Sequence, residues 1–182
     1  MVLPLPSLAT IGKVIVELTK VEMFSAAQAG CLRRINALCK DLPEPYGTPE
    51  TGLFDNDVES CGAEMAVAKA FGMYWNTYPG EFRELPGDVA NLEVRSTKHV
   101  NGCLIVHNRD KDDRPFVLVR GSMPRYEVAG WMMGKDAKQS KWIRKIRKRS
   151  AFFVPADQLH SLADLKVIPQ KIEIAPSATA GE

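Results

Sequence analysis

The stretch Glu84–Thr97, ELPGDVANLEVRST, decides how the rest of the chain is interpreted. A Pro-Gly pair leads into Asp88, a short turn follows, and Leu92–Thr97 has the composition of a strand. Side chains alternate between the two faces of a strand, so Glu93 and Arg95 share one face. The pattern therefore predicts that two carboxylates and a cation meet at one edge of a sheet.

The spacing between Asp88 and Glu93 is short, which demands a tight turn at Ala90-Asn91. Carboxylate oxygens at this edge suit a hard cation such as magnesium, and magnesium suits phosphate chemistry. A Glu-x-Arg pair on a strand is also a common exposed ion pair with no further role. Both interpretations of Glu93 and Arg95 remain open on these residues alone.

The composition is that of an ordinary globular protein. The chain has 182 residues, of which 45% are hydrophobic and 25% charged, and this predicts one domain over residues 1–168 with its core at about 57–155. The end, APSATAGE, predicts a flexible tail within residues 169–182. No apolar run is long enough to span a bilayer, so no membrane partner is expected.

The cysteines and the start of the chain predict a cytoplasmic location. The four cysteines form no CxxC pair and no zinc spacing, which favours reduced, mostly buried thiols. The first residues lack the basic region and the continuous apolar core of a signal peptide. The cysteines are Cys31, Cys39, Cys61 and Cys103.

Charge is distributed unevenly along the chain. Residues 1–90 hold 7 basic and 12 acidic side chains, whereas residues 91–182 hold 17 basic and 10 acidic ones. The densest basic segment, residues 141–149, predicts a helix with an apolar face and a nearly pure cationic face that binds phosphates of nucleic acid. A calmodulin-like or anionic-membrane target is the alternative. The cations are Lys141, Arg144, Lys145, Arg147, Lys148 and Arg149.

The order of elements predicts an α+β fold with one central mixed sheet flanked by helices. Helical spacing predicts helices over Met23–Cys39, from about residues 57–60 to Phe71, and over Gly134–Arg149. Residues 41–57 are predicted to form a long loop. The predicted strands are Lys13–Leu18, Met73–Asn76, Glu81–Leu85, Leu92–Thr97, Cys103–Asn108, Pro115–Arg120, Tyr126–Met132 and Ala151–Val154.

Several charged residues outside the opening stretch have two interpretations. Glu64 lies in a predicted helix among small residues, where a surface position is favoured over one aimed at a site. Arg33 and Arg34 lie off the apolar face of their helix, which favours a solvated face over phosphate contact. Residues 108–114 favour a solvated hairpin loop over a calcium site. His99 is close enough in sequence to serve as a base, although a lone histidine is more often structural.

These features together resemble the PD-(D/E)xK nuclease superfamily, which has the restriction-endonuclease-like fold. Residues 64–154 resemble small phage and prophage proteins of that type, with an Ala-rich helix carrying a glutamate, an aspartate and a Glu-Val-Arg-Thr-like strand. The pattern continues with an apolar strand, a Gly-Trp pair and a Phe-Phe-Val-Pro ending. The matching positions are Glu64, Asp88, Glu93–Thr97, Phe116–Val119, Gly130-Trp131 and Phe152–Pro155.

The resemblance implies a metal site and a reaction. It implies that Asp88 and Glu93 bind Mg²⁺ or Mn²⁺ with the carbonyl of Val94, and that Glu64 completes the metal shell. Arg95 stands where the superfamily has a lysine, and Lys98 is the nearest replacement for that lysine. The implied activity is magnesium-dependent phosphodiester hydrolysis of DNA.

Two departures from the pattern leave a second function open. Arginine stays protonated, so Arg95 cannot be a general base, although it can clamp phosphate oxygens. The turn after Asp88 is also unusually short. The alternative is a catalytically inactive protein on the same fold that binds nucleic acid or a host protein. A homo-oligomer is compatible with either function.

Overall fold

A computed structural model of the chain describes residues 12–40, 52–76, 87–146 and 149–168. These ranges form an α+β fold, as the sequence predicts. The predicted strand Glu81–Leu85 and the predicted tail, residues 169–182, lie outside the described residues. The elements are β1 (Val14–Glu17), α1 (Lys20–Cys39), α2 (Leu53–Ala70), β2 (Glu93–Thr97), β3 (Leu104–His107), β4 (Pro115–Ser122), β5 (Arg125–Met133), α3 (Gly134–Ala137), β6 (Ile143–Ile146) and β7 (Arg149–Val154).

The strands form two sheets rather than the single sheet predicted. The first sheet has the order β1-β5-β4-β2 and is mixed, because β2 runs parallel to β4 while the other pairs are antiparallel. The second sheet has the order β3-β7-β6 and is antiparallel. The central mixed sheet of the prediction is therefore confirmed, and the second sheet is an addition to it.

Strand β4 explains why a second sheet is needed. Its residues Phe116, Val117, Leu118 and Val119 are all buried, so both faces of the strand are covered. Val117 and Val119 pack in a cluster with residues of α2, whereas Phe116 and Leu118 pack in a cluster with residues of β3 and β7. A continuous apolar run of this kind requires a layer on each side. The helices supply one layer and the second sheet supplies the other.

Helix α1 begins three residues earlier than predicted. Thr19 is its N-cap, and its hydroxyl accepts from the backbone N–H of Glu22, while the Glu22 carboxylate accepts from the N–H of Thr19 at 2.6 Å. This capping box stabilises the first turn. The Thr-x-x-Glu spacing is visible in the sequence and would have placed the helix start correctly.

Helix α2 begins at Leu53, so the predicted loop over residues 41–57 is wrong at its end. Gly52 takes a left-handed conformation, with φ of 84°, and the helix starts directly after it. Acidic residues in the first turns suit the positive end of the helix dipole, which is why Asp55 and Asp57 are accommodated there. The part of the predicted loop at residues 41–51 lies outside the described residues.

The helices α1 and α2 pack closely at Gly30. A methyl group added at Gly30 would lie 2.5 Å from the Cα of Val58, so a larger residue would push the two helices apart. The same contact brings Arg33 and Arg34 of α1 against α2. The helix pair is thus held both by close backbone approach and by charged side chains.

The predicted helix Gly134–Arg149 is the largest error in the sequence interpretation. Only Gly134–Ala137 is helical, a short 3₁₀ turn covers Ser140–Trp142, and Ile143–Ile146 is a strand that pairs with β7. The helix propensity of lysine and arginine is a small energy, so pairing of this segment, which contains two isoleucines, with a neighbouring strand overrides it. The predicted strand Met73–Asn76 is wrong, because these residues form neither a strand nor a helix.

Candidate functional site

The tight turn predicted at Ala90-Asn91 is confirmed. Val89 and Leu92 exchange backbone hydrogen bonds across it, and the N–H of Asp88 donates to the carbonyl of Leu92 at 2.8 Å. Ala90 has φ of 54°, a left-handed conformation that residues other than glycine seldom adopt. The turn folds Asp88 back against the start of β2.

Asp88 is anchored to β2 by its own side chain. Its Oδ2 atom accepts from the backbone N–H of Val94 at 2.7 Å. Burial raises the pKa of Asp88, while the hydrogen bond from Val94 and the charge of Arg95 lower it. Burial also raises the pKa of Glu93, and the negative charge of Asp88 raises it further. The turn and the hydrogen bond from Val94 place the Asp88 carboxylate at the start of β2, where Glu93 is the first residue.

Arg95 lies beside these carboxylates on the face of β2 that looks toward the second sheet. Its guanidinium lies 4.9 Å from the centroid of the Phe116 ring, and Phe116 belongs to the core on that side. Nη2 of Arg95 donates to Asp110 at 3.3 Å, and Nη1 donates to the carbonyl of Val94 at 3.2 Å. Nη1 also lies 3.6 Å from Glu93. The Glu93–Arg95 pair is thus half-buried rather than a surface pair.

Glu64 is buried, so the favoured surface position is wrong. Only 4% of the residue is exposed, and its two carboxylate oxygens accept from Nη1 and Nη2 of Arg33, each at 2.5 Å. The indole N–H of Trp75 donates to the same carboxylate at 3.2 Å. The small residues around Glu64 in α2 allow α1 to approach closely, which is what buries it.

Arg33 and Arg34 do not form the solvated face that was favoured for them. Arg33 binds Glu64, and Arg34 Nε donates to Asp57 at 2.7 Å; both arginine side chains are at most 15% exposed. Two neighbouring residues of α1 thus each bind a carboxylate of α2. Phosphate contact, the other interpretation, is disfavoured by these ion pairs because the guanidinium groups already face carboxylates.

The charge of Asp88 acts on carboxylates in two different layers. Burial raises the pKa of Glu64 to about 7 against the lowering effect of Arg33, and Asp88 adds to the rise. Glu64 is in the helix layer, whereas Glu93 shares the face of Arg95 toward the second sheet. Asp88, at the turn before the edge strand β2, is the residue whose charge reaches both. Arg33 in turn lowers the pKa of Asp88.

Two of the four predicted metal ligands, Asp88 and Glu93, lie at the start of β2. Asp88 and Glu93 offer hard oxygen atoms whose mutual repulsion a cation would relieve. Both oxygens of Glu64 already face Arg33, and the carbonyl of Val94 accepts from Arg95. Over residues 12–40, 52–76, 87–146 and 149–168, no group of three or more His, Cys, Asp or Glu side chains is arranged to hold a metal ion.

Lys98 and His99 lie beyond the end of β2. The ammonium of Lys98 lies 3.9 Å from Glu59 of α2, and its side chain is 58% exposed. His99 is exposed, and its backbone N–H donates to the hydroxyl of Thr97 at 3.3 Å. The contacts described for Lys98 are thus with the helix layer and not with Asp88, Glu93 or Arg95.

The turn that precedes β4 supplies a residue that the sequence interpretation missed. Residues 108–114 do not close a hairpin, because β3 and β4 belong to different sheets. Asp110 is not solvated: its side chain is 8% exposed, and Oδ2 accepts from Arg95 and from the N–H of His107. Its acidic character was visible in the sequence, but its partner on β2 was not.

The basic segment presents its charges from an edge strand instead of a helix. Lys141, Arg144 and Lys145 are exposed, and β6 is the outer strand of the second sheet. The Lys141 ammonium lies 4.4 Å from the centroid of the Trp142 ring, and the Arg144 guanidinium lies 5.6 Å from that of Phe153. Arg147 and Lys148 lie outside the described residues. Arg149 belongs to β7, and only its backbone is described.

Two expectations about the whole chain have mixed outcomes. All four cysteines are free, but only Cys61 is buried, so the prediction of mostly buried thiols is wrong. Within the described part of the chain, no helix is both long and apolar enough to cross a bilayer.

Comparison of the chain with protein-family models, curated proteins and solved structures found no match.

Proposed function

We propose that this protein hydrolyses phosphodiester bonds of DNA with the help of Mg²⁺ or Mn²⁺. The observation that carries the proposal is the hydrogen bond from the N–H of Val94 to Asp88, which with the turn holds the Asp88 carboxylate at the start of β2, the strand that Glu93 begins. Two half-buried carboxylates that repel each other are a favourable arrangement for a divalent cation. The resemblance to PD-(D/E)xK nucleases of phage or prophage type suggests the same chemistry.

The residues have different roles in this proposal. Asp88 and Glu93 hold the cation, which supplies activation of water and neutralisation of charge on the scissile phosphate. Arg95 orients the phosphate, since a guanidinium binds phosphate oxygens through two parallel hydrogen bonds. Glu64 joins the ligands only if it exchanges Arg33 for the cation. The Val94 carbonyl on β2 and Lys98, directly after the end of β2, are supporting candidates.

The exposed cations of the second sheet suit the substrate. Arg144 and Lys145 lie on the edge strand β6, Lys141 lies in the 3₁₀ turn just before it, and all three residues are exposed. Each phosphate that they neutralise releases condensed counterions, which favours binding without regard to base sequence. The expected partner is therefore DNA, and the expected location is the cytoplasm, that of a bacterial host if the gene is phage-encoded.

A second candidate function is nucleic-acid binding without cleavage, or binding of a host protein on the same fold. Arg95 favours it, because its guanidinium already contacts Asp110 and the carbonyl of Val94. An arginine held in this way stays protonated and cannot accept the proton of an attacking water. Binding by the basic strand would remain.

A cleavage assay separates the two functions. Supercoiled plasmid and single-stranded DNA are incubated with the purified protein and Mg²⁺ or Mn²⁺, with an EDTA control. We expect cleavage by the wild type and none by Asp88→Asn, because the amide can still accept from the Val94 N–H but is a poor ligand for a hard cation. Asp113→Asn, at an exposed aspartate before β4, is the matched control and should cut normally.

The outcomes lead to different conclusions. An Asp88→Asn variant with an unchanged unfolding midpoint and no cleavage supports the hydrolase. Cleavage by Asp88→Asn at the wild-type rate would remove Asp88 from the mechanism. If the wild type binds DNA but cuts neither DNA nor RNA with either metal, hydrolysis is refuted and the binding function stands.

A further inference from the structure

Helix α1 has an apolar face that points away from the other described elements of the structure. Val21 is 74% exposed, Phe24 64%, Ile35 46% and Leu38 57%. The opposite side of the same helix, which carries Ala26, Ala29 and Gly30, is buried against α2. A helix that is apolar on both sides requires a partner on the outer side as well.

The outer face has the spacing of a coiled-coil seam. Its positions alternate in steps of three and four residues over the length of the helix, which keeps one stripe in contact with a neighbouring helix. Five of the six positions are apolar or cysteine, and Gln28 is the polar exception near the middle. The six residues, which we call the α1 seam, are Val21, Phe24, Gln28, Cys31, Ile35 and Leu38.

The α1 seam is symmetric about the centre of the helix, between Ala29 and Gly30. Reversal of the helix about that point places Phe24 opposite Ile35, and the same reversal relates the outer and the inner pairs of the seam. A two-fold symmetric interface requires a surface that is complementary to itself in this way. An antiparallel pair also sets the positive end of each helix dipole beside the negative end of the other. The matched pairs are Val21 with Leu38, Phe24 with Ile35 and Gln28 with Cys31.

The area is sufficient for a weak but specific dimer. The large apolar side chains of this side of α1, with Leu32 at 42% exposure beside the seam, offer on the order of 500 Å² of apolar surface in each copy. Two copies would thus bury about 1,000 Å² in total, the lower bound for a specific interface. No charged side chain lies in the seam, so none needs to be desolvated there.

We propose that a second copy of this chain covers the α1 seam, in an antiparallel helix pair with two-fold symmetry. The register places Phe24 of one copy against Ile35 of the other, and Gln28 against Cys31. A polar glutamine in the central layers favours one register over shifted alternatives. This inference does not depend on the proposed hydrolysis, because Arg33 and the carboxylates lie on the inner side of α1.

Analytical ultracentrifugation of the full chain across a concentration series tests the dimer. We expect a concentration-dependent dimer for the wild type. Phe24→Glu and Ile35→Lys should each raise the dimer dissociation constant by more than about 30-fold, because each buries a charge against an apolar residue within the interface. Val100→Glu, at a residue 80% exposed outside α1, should leave the dissociation constant unchanged. Far-UV circular dichroism checks that each variant folds.

A mixture of the two charged variants, Phe24→Glu and Ile35→Lys, tests the register. In the antiparallel register, the carboxylate introduced at position 24 of one variant faces the ammonium introduced at position 35 of the other. The mixture should therefore form a heterodimer, whereas neither variant associates alone. A parallel pair would place position 24 against position 24, and the mixture would stay monomeric. A wild type that is monomeric at all concentrations, or a mixture that fails to associate, overturns the proposal.

Discussion

Glu64 presents both of its carboxylate oxygens to the guanidinium of Arg33, each at 2.5 Å from a terminal nitrogen, inside the contact between α1 and α2. The carboxylate also accepts from Trp75 and has its pKa raised by Asp88. This ion pair therefore connects the packing of the two helices to the candidate metal site.

The Arg33–Glu64 pair should be far more important for stability than the exposed Lys69–Glu22 pair. Arg33→Met leaves a buried carboxylate without its cation, and we expect a loss of about 3–5 kcal/mol in the free energy of unfolding above pH 7, where Glu64 is ionised. Adding Glu64→Gln to Arg33→Met should recover a large part of that loss. Lys69→Met breaks a partly exposed pair and should cost no more than about 1 kcal/mol.

Urea unfolding of the single and double variants measures these differences. A double-mutant cycle isolates the interaction of the two side chains from the rest of their surroundings. If Arg33→Met costs no more than Lys69→Met, the pair does not hold α1 against α2 as described.

The same carboxyl group should make stability depend on pH. Burial raises the pKa of Glu64 from 4.5 to about 7, so the folded protein keeps a proton that the unfolded chain loses in this range. The resulting stabilisation is present in full below pH 4.5 and is lost as the pH rises through about 7. As the pH rises through this range, the titration of Glu64 should lower the free energy of unfolding by roughly 1 kcal/mol per pH unit.

Glu64→Gln removes this titration, so the comparison is between the two pH profiles. Both are measured by urea unfolding in EDTA, from about pH 5 to about pH 8. We expect the difference between wild type and Glu64→Gln to change with pH up to about 7 and to level off above it. A difference that is constant across this range would mean that the pKa of Glu64 is not raised.

Arg95→Lys introduces the residue that the resemblance to PD-(D/E)xK nucleases implies at this position, and we nevertheless expect the proposed metal-dependent cleavage to fall. Lysine cannot reproduce the planar fork that contacts Asp110 and the Val94 carbonyl while lying over Phe116. Weakening of the cation–π interaction should also lower the free energy of unfolding by about 1 kcal/mol. Cleavage rates and unfolding midpoints measure the two effects, and a rise in cleavage would show that Arg95 occupies a lysine's role.

Replacement of Arg144 and Lys145 by glutamine should weaken binding to all DNA sequences alike. Side chains that bind phosphates position a protein without reading bases. The slope of log binding constant against log salt should fall by about 0.9 for each phosphate of duplex DNA that the variant no longer neutralises. Lys20→Gln with Lys40→Gln removes the same charge from α1 and is the matched control. An unchanged slope in the Arg144 and Lys145 variant would remove β6 from the interface.

The turn at Ala90-Asn91 and most of the strands were predictable because their signals are local. A two-residue turn is forced by the spacing between Asp88 and the strand that begins at Glu93, and alternation of apolar residues marks the strands. The signal for the start of α1 is equally local, since Thr19 and Glu22 form a capping box, yet the predicted helix began at Met23. The second sheet could not be predicted in the same way, because the apolar run in β4 does not indicate which elements cover each face of the strand.

The α+β class, the turn at Asp88, the shared face of Glu93 and Arg95, and the heptad spacing of the α1 seam all follow from local patterns in the sequence. The contacts of Glu64 with Arg33 and of Asp110 with Arg95, and the edge strand at residues 143–146, are apparent only in the folded protein. The physical reason is the range of the interactions. Turns, caps and side-chain periodicity depend on neighbours within a few residues, whereas an ion pair between helices or a strand at the edge of a sheet depends on partners brought together only by packing of the whole chain.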